Sequence, residues 1–176
     1  MAQSNEIFKR FTHWTEGRPH PALANIVTTH EVRKSRIHLK MLGGDYFTYQ
    51  VKSKQSFGSP HCSSCTVPSP PPEDLQHILT SCTAYTDVRL RILDEYKHLC
   101  SQAMSDIKFE DIKHESESLC QFLLDPSSFN LESRVHLNDP ILNAMFRLSR
   151  DYCFALNSRR MTILKTKADM QKHEST

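Results

Sequence analysis

Hydrophobic residues recur at helical spacing in four stretches of the chain, and this pattern predicts a mainly α-helical fold. In the first stretch, near residues 25–43, apolar positions alternate with basic ones, and Gly43 and Gly44 suit a helix C-cap and the turn beyond it. The positions that define this basic amphipathic helix are Ile26, Val27, His30, Val32 or Arg33, Ile37 and Met41.

Two further helices are expected in the middle of the chain. The shorter one covers HESESLCQFLL and ends before Asp125-Pro126, because a proline disfavours the α conformation in the residue before it. The longer one follows Cys82 and is amphipathic. Its apolar face consists of Val88, Ile92, Tyr96, Leu99, Cys100 and Ala103.

A long helix is expected near the C-terminus. It opens with Asp139 as a candidate N-cap and with Pro140 at the first helical position, where the missing N–H costs nothing. Apolar residues then recur over about 25 residues, or roughly 40 Å of helix. Beyond it, the polar tail of residues 167–176 is expected to be disordered.

One segment has a different pattern. DYFTYQVKSKQ alternates in a way that fits a short strand near residues 45–52, and a helix of this length fits as well. The predicted core consists of Ile37, Met41, Leu42, Leu75, Ile78, Leu79, Val88, Ile92, Leu99, Leu119, Phe122, Ile141, Met145, Leu148 and Leu156.

Composition is that of an ordinary folded chain of 176 residues, with 38% hydrophobic residues and a formal net charge of +2. The charge is uneven, since basic ends (residues 1–61 and 132–176) flank an acidic middle (residues 66–131). This asymmetry fits nucleic-acid contact by the ends, and it fits a solvated surface without a partner equally well.

No stretch reaches the roughly 18–20 apolar residues of a membrane helix, and no apolar secretory signal follows Met1. An intracellular protein without a membrane partner is therefore expected, in the nucleus or the cytoplasm. Thiols stay reduced in that compartment, so its six cysteines are better interpreted as metal ligands or core residues than as disulfides.

Four residues typical of zinc ligands occur within HCSSCTVPSPPPEDLQHILTSC. The pattern is Cys62-x2-Cys65-x11-His77-x4-Cys82. A Cys-x2-Cys pair on a tight turn directs two sulfurs to one point, and a second pair completes a tetrahedron of three thiolates and one imidazole. The proline run between the pairs acts as a stiff spacer.

The second pair constrains the local backbone. His77 and Cys82 are five residues apart, which on a regular α-helix separates them by about 140°, so both cannot face one metal. We therefore expect EDLQHILT to form a short helix, with Glu73 and Asp74 in its first turn and Cys82 beyond its end.

The alternative is coincidence, in which Cys82 is a core thiol and His77 lies on a surface helix. The zinc site is favoured, because both remaining ligands follow the Cys-x2-Cys pair at a motif-like distance. His61 is expected to have a surface or supporting role. Cys100, Cys120 and Cys153 have apolar neighbours, which favours core packing for all three.

At these residues the chain resembles a known family. HCSSC…PPEDLQHILTSCTAYTDVR is similar to the Cys-Cys-His-Cys zinc-binding region near the C-terminus of reverse transcriptases from non-LTR (LINE-like) retrotransposons. Glu73-Asp74, Leu79 and Arg89 occupy corresponding places, and weaker similarity covers roughly residues 25–165. The resemblance implies a fragment that helps to hold RNA or DNA for a polymerase.

No catalytic motif accompanies the four ligands. The chain has no Asp-Asp dipeptide of the kind that holds polymerase metal ions, no Gly-rich phosphate loop, no Gly-x-Ser-x-Gly elbow and no His-Glu-x-x-His helix. We therefore expect a non-catalytic zinc-binding module. Two alternatives are a zinc-stabilised helical module that binds a protein partner and a decayed retroelement remnant without activity.

Basic residues on both sides of the motif are the candidates for phosphate contacts, and solvated helix faces explain them equally well. These residues are Arg33, Lys34, Arg36, Lys40, Arg159, Arg160, Lys165 and Lys167. Tyr46, Phe47 and Tyr49 can stack on unpaired bases if they are exposed, although core packing is favoured for them.

Together these patterns predict a mainly α fold with a small zinc-centred knuckle subdomain, flanking helices and a long C-terminal helix. The expected segments are a partly disordered arm (1–24), the zinc-binding region with flanking helices (25–104), a polar connection (105–118), a C-terminal helical segment (119–166) and a disordered tail (167–176).

Overall fold

The computed structural model describes residues 23, 26–44, 46, 60–103, 109–127 and 139–174. These residues are mainly helical, which confirms the predicted fold class, including the long C-terminal helix. The helices are α1 (Thr29–Leu42), α2 (Thr86–Ala103), α3 (Phe109–His114), α4 (Ser116–Leu124) and α5 (Asp139–Glu174). A π-helical turn (His77–Ser81) and a 3-10 turn (Thr83–Tyr85) precede α2.

The boundaries of α1 follow from its capping residues. At the start, the Thr28 hydroxyl accepts a hydrogen bond from the Glu31 N–H at 3.1 Å. At the end, the Gly43 N–H donates to the Leu39 carbonyl at 2.9 Å, and Gly44 adopts a positive φ of 74°. This conformation favours glycine, so the predicted C-cap and turn are confirmed.

The last helix is longer than the sequence pattern indicated. α5 has 36 residues and continues to Glu174, so residues 167–174 are helical where a disordered tail was expected. The physical reason is that neither glycine nor proline occurs between residues 141 and 174, so nothing in the sequence ends the helix.

The expected polar connection at residues 105–118 contains a helix that was not predicted, α3, whereas α4 lies within the helix expected at HESESLCQFLL. Phe109 and Ile112 lie three residues apart on one face of α3 and are both buried. The ring of Phe109 packs against Phe122 of α4, with centroids 5.9 Å apart. Two apolar residues thus join this polar segment to the core.

α5 is the central helix, and α1 and α2 both pack against it. α1 and α5 are antiparallel, since His30 packs on Phe154 and His38 packs on Phe146. α2 is joined to α5 through the Tyr96 hydroxyl, which donates to the Met145 carbonyl at 2.9 Å.

All fifteen predicted core residues lie in the core or pack against it. The core also contains three fully buried tyrosines, and each tyrosine hydroxyl forms a hydrogen bond. These tyrosines are Tyr85, Tyr96 and Tyr152.

Two sequence predictions lie largely outside the described residues. They are the arm at residues 1–24, apart from Leu23, and the strand near residues 45–52, apart from Tyr46. Tyr46 itself is buried, as the core-packing interpretation expects. None of the helices in the described part of the chain has the length and apolar character of a membrane-spanning segment.

Candidate metal centre

The first cysteine pair is held by a short antiparallel pairing between the segment before Cys62 and the end of the proline run. The Cys62 N–H donates to the Pro71 carbonyl, and the Glu73 N–H donates to the Pro60 carbonyl, both at 2.8 Å. Prolines can take part because each supplies only a carbonyl here. The loop that carries Cys62 and Cys65 is thereby fixed against the segment that leads to His77.

The second ligand pair consists of the first residue of the π-helical turn and the residue that follows the turn. The Cys82 N–H donates to the carbonyl of His77, five residues back, at 2.8 Å. This i→i+5 hydrogen bond defines a π-helix, a geometry that is often found at functional sites. The turn brings His77 and Cys82 to the same side, which a regular α-helix would not do.

The expected short helix at EDLQHILT is therefore mostly this π-helical turn, and Cys82 follows its end as predicted. Asp74 caps the turn, because its Oδ1 accepts a hydrogen bond from the His77 N–H at 2.6 Å. Glu73 does not lie in the first turn. Its side chain is fully buried beside the cysteines.

The four predicted ligands meet at one point. Their ligand atoms all lie within 4.8 Å of one another, so the residues Cys62, Cys65, His77 and Cys82 can hold a metal ion. The Cys82 sulfur is 3.8 Å from the Cys62 sulfur and 3.6 Å from the Cys65 sulfur. The Cys65 sulfur is 3.2 Å from the His77 Nε2.

The two sulfur–sulfur distances fit tetrahedral coordination, because with metal–sulfur bonds of about 2.3 Å two thiolates on a tetrahedral ion lie about 3.8 Å apart. A sulfur and an imidazole nitrogen on such an ion lie about 3.6 Å apart, so the Cys65 sulfur and the His77 Nε2, at 3.2 Å, would move slightly apart around a metal. Cys62, His77 and Cys82 are buried and Cys65 is half-buried, so the protein shields the site.

A neighbouring hydroxyl orients the imidazole. The His77 Nδ1 lies 3.0 Å from the Ser81 Oγ, one α-helical turn further along the sequence. When Nδ1 donates this hydrogen bond, the lone pair of Nε2 points toward the sulfurs, which is the tautomer that a metal requires.

The surroundings of Cys62 favour its thiolate. The Cys82 thiol and the backbone N–H groups of Cys65 and Ser64 form hydrogen bonds to its sulfur, and against the opposing effect of burial they lower the pKa of Cys62 to about 4. The pKa of Cys82 is raised, because its proton is engaged with Cys62 and because the thiol is buried. A bound dication stabilises both thiolates and removes this competition.

A residue of α2 contacts the backbone of Cys82. The guanidinium of Arg89 donates two hydrogen bonds to the Cys82 carbonyl, each at 3.2 Å. The buried hydroxyl of Tyr85 donates to the Ser64 Oγ at 3.0 Å and so links the 3-10 turn before α2 to the cysteine loop. Arg89, which the family resemblance singled out, thus positions a ligand residue.

α5 approaches the site from another side. The Arg160 Nη2 lies 2.7 Å from the Glu73 Oε1, and the other Glu73 oxygen lies 3.7 Å from the Cys62 sulfur. Burial alone would lower the pKa of Arg160, but the Glu73 carboxylate holds it above its usual value. Further along α5, the Lys167 ammonium donates a hydrogen bond to the Ser63 carbonyl.

The predicted phosphate-binding residues do not form one surface. Six of the eight are exposed: Arg33, Arg36, Lys40, Arg159, Lys165 and Lys167. Lys34 is largely covered and pairs with Glu31 at 2.9 Å and with Asp151 at 2.7 Å. Arg160 is buried in its ion pair, so it presents no charge to a nucleic acid.

The sequence interpretation missed Ser81, and it missed the contact between Glu73 and Arg160. Ser81 had a usable signal, because a hydroxyl four residues after a ligand histidine lies within reach of its ring. The ion pair had none, because its partners are 87 residues apart.

Comparisons with protein-family models, with curated proteins and with solved structures found no match to this chain. The resemblance to the zinc-binding region of retrotransposon reverse transcriptases therefore stays a prediction that rests on the sequence pattern.

Proposed function

We propose that this chain is a non-catalytic module in which a zinc ion has a structural role. The observation that carries the proposal is the convergence of three cysteine sulfurs and one histidine nitrogen within 4.8 Å. Three thiolates and one imidazole are a common structural zinc set, and four protein ligands leave no open position for a substrate.

Zinc would join two parts of the chain that already pack against each other. Its ligands come from the loop of Cys62 and Cys65 and from the π-helical turn that leads into α2. Binding free energy at such a site is also folding free energy, because the ligands are not assembled in the unfolded chain.

The test is the zinc content per chain, measured by elemental analysis, for the wild type, for His77→Ala and for His114→Ala. His114 is an exposed histidine at the end of α3 and serves as the matched control. One zinc per chain is expected in the wild type and in the control, with loss of zinc in His77→Ala. A well-folded wild type without metal would contradict the proposal.

A second proposed function is binding of RNA or DNA through α1. Arg33, Arg36 and Lys40 are exposed and follow one another at intervals of three and four residues, so they share one face of the helix. Each can neutralise one phosphate and release a counterion.

Binding should then weaken steeply with salt. The variant Arg33→Gln/Arg36→Gln/Lys40→Gln should bind more weakly and should lower the log–log salt slope on duplex DNA by about 2.7. Arg159→Gln/Lys165→Gln, on exposed positions of α5, shows whether the other basic end contributes. Equal affinity of the wild type and the α1 variant would contradict this role.

The sequence pattern supports the further proposal that the chain is related to the C-terminal region of a non-LTR retrotransposon reverse transcriptase. An in-frame polymerase motif in the DNA upstream of Met1 is the direct test. Association that depends on protein concentration, without nucleic-acid binding, would instead favour the protein-interaction module. An aggregated chain would favour a decayed remnant.

A further inference from the structure

The metal centre carries a charge that the protein must balance. A zinc dication with three thiolates and a neutral imidazole has one net negative charge. The carboxylate of Glu73 is fully buried next to this centre, with one oxygen 3.7 Å from the Cys62 sulfur. With Cys62 bound to zinc as a thiolate, two negative groups face each other across that distance.

Buried like charges are costly unless opposite charges pair with them. α5 supplies two cations near the centre, and they lie seven residues apart on one face of the helix. The Arg160 guanidinium contacts Glu73 at 2.7 Å, and the Lys167 ammonium bonds to the carbonyl of Ser63, the residue after Cys62. Their two positive charges match the two negative charges of the centre and Glu73.

We propose that Arg160 and Lys167 are positioning residues of the metal centre, which balance its charge and make its zinc affinity depend on α5. This inference rests on the proposed zinc site. It gives both residues a role other than phosphate binding, and it makes α5 part of the site although α5 contributes no ligand.

Arg160 and Lys167 differ in burial, and so in the strength of their expected effect on the metal centre. Arg160 is 6% exposed and acts at short range in a site with little water, whereas Lys167 is exposed and its charge is screened. The ring of Tyr46 further covers Arg160, whose Cζ lies 5.6 Å from the ring centroid. Arg160 should therefore have the larger effect on zinc affinity.

Competition with a chelator of known zinc affinity measures this effect on the full chain. Arg160→Met should weaken zinc binding by about 10- to 100-fold, as loss of residues that support metal ligands commonly does. Lys167→Met should weaken it by about two- to threefold, because exposed charges contribute little. Arg159→Met, which removes the neighbouring exposed charge from α5, is the matched control and should bind zinc like the wild type.

The double variant Glu73→Gln/Arg160→Met distinguishes the loss of the arginine charge from the loss of its packing. It removes the buried carboxylate together with its counter-ion, so it should recover most of the affinity that Arg160→Met loses. The inference is overturned if Arg160→Met binds as tightly as Arg159→Met, or if the double variant binds as weakly as Arg160→Met. A wild type that binds no zinc would overturn the proposed function as well.

Hydrogen exchange on the wild type gives a second measurement that does not depend on a variant folding. Zinc should slow the exchange of residues 157–167 of α5 together with residues 62–82. Protection that is limited to residues 62–82 would overturn the coupling, although the zinc site itself would stand.

Discussion

The metal region (residues 60–82) and the helical layer (α1, α2 and α5) both bury polar as well as apolar side chains, but in different proportions. The helical layer has a large apolar core that includes Phe146 and Leu156, with a smaller number of polar groups such as Ser149. The metal region buries Ser64, Glu73 and His77 around its cysteines. Apolar burial stabilises a fold by about 25 cal/mol per Å², whereas buried polar groups cost free energy unless each has a partner.

The two regions should therefore respond to different changes. The helical layer should keep most of its structure when metal is removed, because its contacts are mainly hydrophobic. The metal region should lose its structure, because the proposed zinc ion is what would hold its four ligand side chains together.

The largest expected effect comes from removing a ligand. Cys82→Ser should abolish zinc binding and unfold the metal region, since structural zinc contributes about 10–16 kcal/mol in small zinc-finger peptides. Hydrogen exchange should show loss of protection at residues 60–82 while most of α5 stays protected. Cys120→Ser, which alters a half-buried cysteine outside the ligand set, should keep its zinc. Retention of one zinc by Cys82→Ser would contradict the ligand assignment.

The next effect belongs to the helical layer. Phe146→Ala removes a fully buried ring from α5 and should lower the free energy of unfolding by about 3–5 kcal/mol. Urea denaturation measures this loss, which should be the same at saturating zinc concentrations. Met161→Ala, on an exposed position of the same helix, should change the stability by less than about 0.5 kcal/mol. Unchanged zinc affinity in Phe146→Ala would show that the metal region does not depend on this part of the helical core.

A smaller effect is expected where the helical layer contains a polar group. Tyr96→Phe removes a buried hydroxyl that donates to the Met145 carbonyl and lies 2.6 Å from the Ser149 Oγ. Loss of this partner should cost about 1–3 kcal/mol, which thermal or urea denaturation can resolve. Ser149→Ala in the same background should add little, because its partner is already gone. A full additive cost would show that the two hydroxyls act independently.

The smallest effect concerns the ion pair between Glu31 and Lys34 on α1, which Lys34 extends to Asp151 of α5. The hydrogen bond from Lys34 lowers the pKa of Glu31 below its usual value of 4.5. A lowered folded-state pKa stabilises the fold above the unfolded-state pKa, and this contribution is lost as the pH falls below about 4.5. Glu31→Gln should therefore flatten the stability profile slightly in acid and change it little at pH 7, as denaturation at several pH values can show.

Local patterns in the sequence predicted the four ligand residues and most of the helical core. The ligands were found because all four occur between Cys62 and Cys82, so their spacing alone limits the geometry. The core of the helical layer was found because apolar residues at helical intervals share a face. Both inferences depend on residues that are close in the chain.

Features that depend on distant or unusual geometry were missed. The sequence showed that His77 and Cys82 could not share a regular helix, but hydrophobic periodicity does not signal a π-helical turn. Glu73 was assigned to the first turn of a helix because acidic residues are favourable there. Its burial in an ion pair was missed because the partner, Arg160, lies 87 residues away in the chain. The helix that begins at Phe109 was missed because most residues of its segment are polar.

The ion pair between Glu73 and Arg160 also has a consequence for the order in which the protein matures. The partners are 87 residues apart, and ribosomes add about 5–20 residues per second. All four ligands are therefore made several seconds before Arg160. During that interval Glu73 is still in water, and it can be buried beside the cysteine sulfurs with its ion-pair partner only after the last helix has been made.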